Sequence, residues 1–112
     1  MSFANYKKLK TRIKGKPGYF KLWIADTPQK RAIGLSKTRS IPRDHGMIFV
    51  YDDDQPRVFT MKNTLIPLEI IFLDKNFNVV YHEKAKPRQR NAIECPVQCR
   101  YVVEIISWRG KN

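Results

Sequence analysis

Acidic residues are scarce in this 112-residue chain: ten Asp and Glu stand against 22 Lys and Arg, a net charge of +12. Such a balance points to an anionic partner, whether nucleic acid, an acidic protein surface or anionic lipid. Cysteine is nearly absent. Cys95 and Cys99 are the two in the chain, and His45 and His82, its two histidines, lie far from them in sequence. Zinc sites carry tighter paired spacings than C-x3-C, so no metal is expected, and reduced thiols are the default. Neither cysteine has a neighbouring histidine and no G-x-S-x-G occurs, which leaves nucleophilic catalysis without support. With five glycines and no phosphate-binding or dinucleotide fingerprint, no cofactor is expected. Long apolar runs are also missing. The longest is interrupted by Glu69, far short of the ~20 residues of a membrane span. A basic start with no apolar h-region behind it gives no secretory signal, so a cytoplasmic location is expected, although a chain already processed would read the same way.

What is present suits one domain. Hydrophobic content of 42%, with 12% aromatic, is that of a globular chain, and 112 residues suffice for one core. Residues 1–16 hold Lys7, Lys8, Lys10, Arg12, Lys14 and Lys16 without an acid. Their apolar positions fit a weak helix, a strand through Leu9, Thr11 and Ile13, or a mobile basic arm. Gly15 to Gly18 is a turn by composition. Tyr19 to Ala25 then alternates as a strand, and Thr27-Pro28 opens a helix expected over about residues 28–37. Met47 to Tyr51 reads as a strand and Asp52 to Pro56 as an acidic turn. Arg57 to Asp74 dominates the chain. Val58–Met61 and Leu65–Leu73 are expected to be two strands around a Lys62-Asn63-Thr64 turn. Val79–His82 returns as a strand, residues 84–91 form a basic loop and Arg100–Ser107 is the last strand. The elements add up to a β-rich, mainly antiparallel fold, a compact sandwich or partly open barrel with one short helix. Residues 1–16 precede it as basic arm or strand, and residues 17–112 form the domain.

Several of these segments carry a resemblance. They are Ala25-Asp26-Thr27-Pro28 with Arg31 and Gly34-Leu35, then Gly46 to Val50, the block from Met61 to Asp74, and Arg100 to Ile105. Over residues 19–106 the chain resembles the domain of unknown function 192 family, also called uncharacterised protein family 0127. The resemblance implies a compact β-rich domain with a short helix after the first strand, and no settled activity. Thr60 stands where the family commonly has Trp, Ser36 where it usually has Met, and Glu69 where it usually has Asp.

The polar set around the dominant stretch, Arg57, Lys62, Asn63, Thr64 and Glu69, is the candidate ligand site. Glu69 sits between apolar neighbours and needs a partner if it leaves water, which Lys62 or Arg57 is expected to supply. Glu69 and Glu104 are the acids inside apolar strands, and a paired-carboxylate hydrolase would need both to face one cleft. The basic residues Lys7, Lys8, Lys10, Arg12, Lys14, Lys16, Lys86, Arg88 and Arg90 are the candidate contacts to an anionic macromolecule. The reading is a non-enzymatic binding or interaction module. Its alternative is a small-ligand receptor or small enzyme acting through Arg57, Lys62, Asn63 and Glu69.

Overall fold

A computed structural model describes residues 3–107. Residues 1, 2 and 108–112, at the outer ends of the expected arm and domain, lie outside it. Six strands make one mixed sheet, curled but not closed into a barrel. They are β1 (Lys8–Arg12), β2 (Tyr19–Ala25), β3 (His45–Gln55), β5 (Leu68–Leu73), β6 (Val79–Ala85) and β8 (Cys99–Ile106). Their spatial order is β1-β2-β3-β8-β5-β6. Two further strands, β4 (Val58–Phe59) and β7 (Ile93–Glu94), pair with each other as a small second sheet. The fold is β-rich with one short helix, as expected.

All neighbours in the large sheet are antiparallel except β2 and β3, which are parallel. A parallel pair needs a crossover, and residues 26–44 provide it with the helix α1 (Pro28–Ile33) inside. Thr27 caps α1 by accepting from the Lys30 N–H at 3.1 Å, and Pro28 occupies the first turn. The helix ends at Ile33, four residues before the expected Lys37. Gly34 leaves helical geometry at φ 51°, a left-handed value that favours glycine, and Lys37 follows at φ 60°.

Period-two alternation divides the sheet into two faces. One packs Trp23, Met47, Phe49, Leu68, Ile70, Phe72 and Val102 under α1, the small sheet and the buried Met61 and Ile66. The other gathers Leu22, Ile48, Ile71, Val103 and Ile105 inside the curl. One open choice is decided and two expectations need correction. Residues 8–12 are an edge strand paired residue for residue with β2, from Lys8 opposite Trp23 to Arg12 opposite Tyr19. The acidic turn is strand: β3 runs on through Asp52 to Gln55, because Asp54 binds Arg100 Nε at 2.7 Å and Asp53 binds Arg57 Nη2 at 2.8 Å. Finally, the expected Val58–Leu73 hairpin does not form. β4 pairs with β7, β5 begins only at Leu68, and residues 60–67 form a looping bridge.

Candidate functional site

That bridge makes the site. Thr64 N–H closes a turn on Met61 O at 3.0 Å, and two neighbouring loops dock on the turn through their backbones. Lys37 N–H donates to Asn63 O at 2.8 Å, and Arg88 N–H donates to Thr64 O at 2.9 Å. Both donors have left-handed backbone, φ 60° at Lys37 and 55° at Arg88. The loop after α1, the 60s bridge and the basic 86–90 loop are thereby tied into one rim.

Beneath the rim lies a cavity of about 220 Å³. Its walls are Phe49, Tyr51 and Phe59, its rim includes Ser36, Thr60, Asn63 and Thr64, and Arg31 and Glu104 supply its charged groups. Glu104 belongs to β8, opposite Met47 of β3 on one side and Ile70 of β5 on the other. Both flanking side chains are fully buried and apolar. Glu104 itself is 5% exposed and has no hydrogen-bond or ion-pair partner among the described residues. Burial alone pushes its carboxyl up to about 8 from the ordinary 4.5, so at neutral pH it is mostly a neutral acid. A neutral carboxyl carries both an O–H donor and a carbonyl acceptor.

Two arginines frame Tyr51 beside it. The Arg57 guanidinium lies 3.9 Å from the ring centroid and that of Arg31 lies 5.0 Å from it. Arg31 Nη1 donates to Val50 O at 2.9 Å. Arg57 Nη2 donates to both Asp53 Oδ1 and the Asp53 carbonyl, while its Nε is buried without a partner. Burial raises the Tyr51 hydroxyl above its usual range, with Arg57 and Arg31 pulling the other way.

The expected five-residue cluster is therefore split. Asn63 and Thr64 line the cavity. Arg57 sits behind Tyr51, engaged with Asp53, and Lys62 is exposed on the turn. Glu69 is buried as expected, but on the other face of the sheet, where its donor is Lys16 Nζ at 2.6 Å instead of a group from residues 57–64. His82 Nδ1 lies 3.5 Å from its second oxygen. Since Leu68, Ile70 and Phe72 take the helix-covered face, Glu69 must take the opposite one. Glu69 and Glu104 thus cannot share a cleft. Larger crevices open on the Glu69 face. One of about 400 Å³ is lined chiefly by apolar side chains such as Ile13, Leu22, Ile71 and Val79. Two others, of about 400 and 350 Å³, take in the Lys16–Glu69 pair, with Arg43, Asp44 and Lys84 on one and Lys14 and His82 on the other, so that the buried carboxylate there is already paired.

Of the expected macromolecule contacts, Lys7, Lys8, Lys10, Arg12 and Lys14 are exposed, Lys16 is half-buried against Glu69, and Lys86, Arg88 and Arg90 are exposed on the loop beside Thr64. Cys95 and Cys99 are free, buried thiols, and burial pushes Cys99 up to about 11. No group of three metal-ligating side chains exists among the described residues. Sequence reasoning noticed Glu104 but gave it no site. The usable signal was a lone acid in the continuous apolar run Val102 to Ile106, whose position in the alternation fixes its face.

Fold and cavity define a class: a domain built on an open six-stranded sheet, with one unpartnered buried carboxyl opening into a small polar-rimmed cavity. The sequence model of the family described as "Uncharacterized ACR" (DUF192) matches residues 9–108. The chain belongs to this domain of unknown function 192 family. The segments that carried the resemblance, from Arg31 to Leu35, from Met61 to Thr64 and around Glu104, converge on the cavity. No curated protein matches the sequence. Two solved structures are similar. One is a candidate transcription regulator from Sinorhizobium meliloti 1021, 28% identical with a TM-score of 0.80, over 90% of this chain and 81% of that one. The other, of unknown function, is from Novosphingobium aromaticivorans DSM 12444, 25% identical with a TM-score of 0.79, over 90% of this chain and 73% of that one.

Proposed function

We propose that this domain is a non-enzymatic receptor module for a small polar ligand and that the cavity above Glu104 is its site. The observation that carries the reading is the carboxyl itself. Buried polar groups in folded proteins are nearly always hydrogen-bonded, because leaving one unmade costs about 1–3 kcal/mol. Here the unpaired carboxyl lines a cavity that Thr64 and Asn63 also line. A ligand offering a complementary donor and acceptor would complete the set. A receptor is favoured over an enzyme because, among the described residues, the lining offers Glu104 no second carboxylate, histidine or thiol with which to divide acid and base roles. The test is a screen of small polar compounds by amide and side-chain NMR. Hits should shift Asn63 and Thr64 resonances saturably and lose that effect in Glu104→Leu. Hits that bind Glu104→Leu equally well would overturn the reading.

A second reading rests on the edge strand. Lys8, Lys10 and Arg12 share one face of β1 with Trp23, Lys21 and Tyr19 of β2. The Lys10 ammonium lies 5.0 Å and the Arg12 guanidinium 4.6 Å from the centroid of the Tyr19 ring, which is 52% exposed. An exposed aromatic flanked by cations suits a nucleic-acid strand, on which bases stack while phosphates pair. The similar Sinorhizobium protein, described as a candidate transcription regulator, agrees in kind. On a single-stranded oligonucleotide, the log of affinity should fall with log salt at about −0.7 per neutralised phosphate. Lys10→Ala with Arg12→Ala should flatten that slope. A slope unchanged by the pair of substitutions would remove this reading.

A further inference from the structure

We infer that the cavity takes a small oxyanion, a carboxylate or a phosphate-like group, and that Glu104 receives it as a hydrogen-bond donor. The inference rests on the receptor reading above and names its ligand class. Three independent features support it. First, the charge around the cavity has one sign. Among the described residues Arg31 is the one charged lining residue besides Glu104 itself, and the loops tied into the rim bring Lys37, Lys62 and Arg88 close in the chain. The chain as a whole, at +12, draws anions and repels cations.

Second, the floor is built to be neutral. Glu104 is flanked within the sheet by Met47 and Ile70, is 5% exposed and forms no ion pair among the described residues, so burial alone acts on its proton. The titratable or charged groups facing it from the packed elements are Tyr51 of β3, framed by Arg57, and Arg31 of α1. β4, β5 and the 60s bridge add no charged group to the lining. A carboxyl kept protonated this way offers an O–H to an anion without repelling it, and a carboxylic acid paired with an oxyanion is a strong, charge-assisted hydrogen bond.

Third, the size fits. A cavity of about 220 Å³ holds a group of a few heavy atoms with room for water at the rim hydroxyls. Cationic and anionic ligands make opposite demands on the Glu104 proton. A cation would expel it and bind better at alkaline pH, whereas an oxyanion needs it and binds worse.

The full chain is titrated by NMR with acetate and, separately, sulfate at pH 6.5 and pH 9. Neither probe changes charge over that range, and together they separate a planar from a tetrahedral oxyanion. Methylammonium and acetamide serve as cationic and neutral probes. One or both anions should shift Asn63, Thr64 and Arg31 saturably and bind roughly tenfold more weakly at pH 9, about one unit above the Glu104 titration. In Glu104→Gln, whose amide also donates, binding should persist with a flat pH profile. Anion binding in the wild type that is equal at both pH values would show that Glu104 is not the donor and overturn the inference, whether or not the variant folds. Shifts caused by methylammonium or acetamide and not by the anions would overturn the inference but leave the receptor reading standing. No shift at these residues with any probe would remove both.

Discussion

At the scale of the residue, burial of charge is compensated at one glutamate and not at another. The buried Glu69 has a cationic partner in Lys16, whereas the buried Glu104 has apolar side chains, Met47 and Ile70, on its two sides. The folded state keeps the Glu104 proton up to about pH 8, while the unfolded chain gives it up above about 4.5. Its contribution to stability is therefore fully present below pH 4.5 and lost as pH rises towards 8. Over that window the unfolding free energy of the wild type should fall by ~1.4 kcal/mol per pH unit more than that of Glu104→Gln. Urea denaturation at pH 5, 6, 7 and 8 checks this, and parallel curves for the two proteins would refute it. Gly34 offers a second check. It holds φ 51°, and an added Cβ would press on the Phe49 ring at 3.2 Å. Gly34→Ala should cost about 1–3 kcal/mol and disturb the cavity wall that Phe49 forms. An unchanged urea midpoint would contradict the packing described.

At the scale of the element, β1 and the turn after it matter more than their charge suggests. β1 covers the edge of β2 over five paired positions, Phe3 stacks on Trp23 at 4.4 Å, and Lys16 reaches across the curl to Glu69. Deleting residues 1–14 should lower the thermal midpoint by several degrees, where a detached arm would leave it unmoved. Lys16→Met leaves Glu69 with His82 alone. It should cost about 1–3 kcal/mol, below the ~3–5 of a fully buried pair because the Lys16 side chain keeps 31% exposure. An unaltered urea midpoint would show that His82 suffices. These elements also show what the sequence made legible. Alternation located β2, apolar runs located β5 and β8, and Thr27-Pro28 located the start of α1, because those signals act within a few residues. The split between β4 and β5 was not legible. A polar turn between two apolar runs reads as a hairpin, and only the distant partners Ile93 and Glu94 draw Val58 and Phe59 into another sheet. For the same reason the Glu69 donor was sought nearby at Lys62 and found 53 residues away at Lys16. Of the residues that line the cavity, Asn63 and Thr64 were in the expected set and Glu104 was noticed but unplaced, since its face depends on pairing across β3 and β5.

At the scale of the whole molecule, the two proposed surfaces are separate and should behave separately. The basic stripe lies on β1 and β2 at one edge of the sheet, and the Glu104 cavity lies over β8, β3 and the 60s bridge. Lys10→Ala with Arg12→Ala should therefore leave acetate-induced shifts at Asn63 intact, and Glu104→Leu should leave oligonucleotide affinity unchanged. Loss of both activities in either variant would mean one continuous site. The most direct test of the central claim, a neutral unpartnered carboxyl on the floor of a binding cavity, is a titration of the Glu104 side-chain carboxyl carbon by ¹³C NMR in the unliganded protein. The expected midpoint lies near 8. A midpoint at the ordinary 4.5 of an exposed glutamate would contradict it.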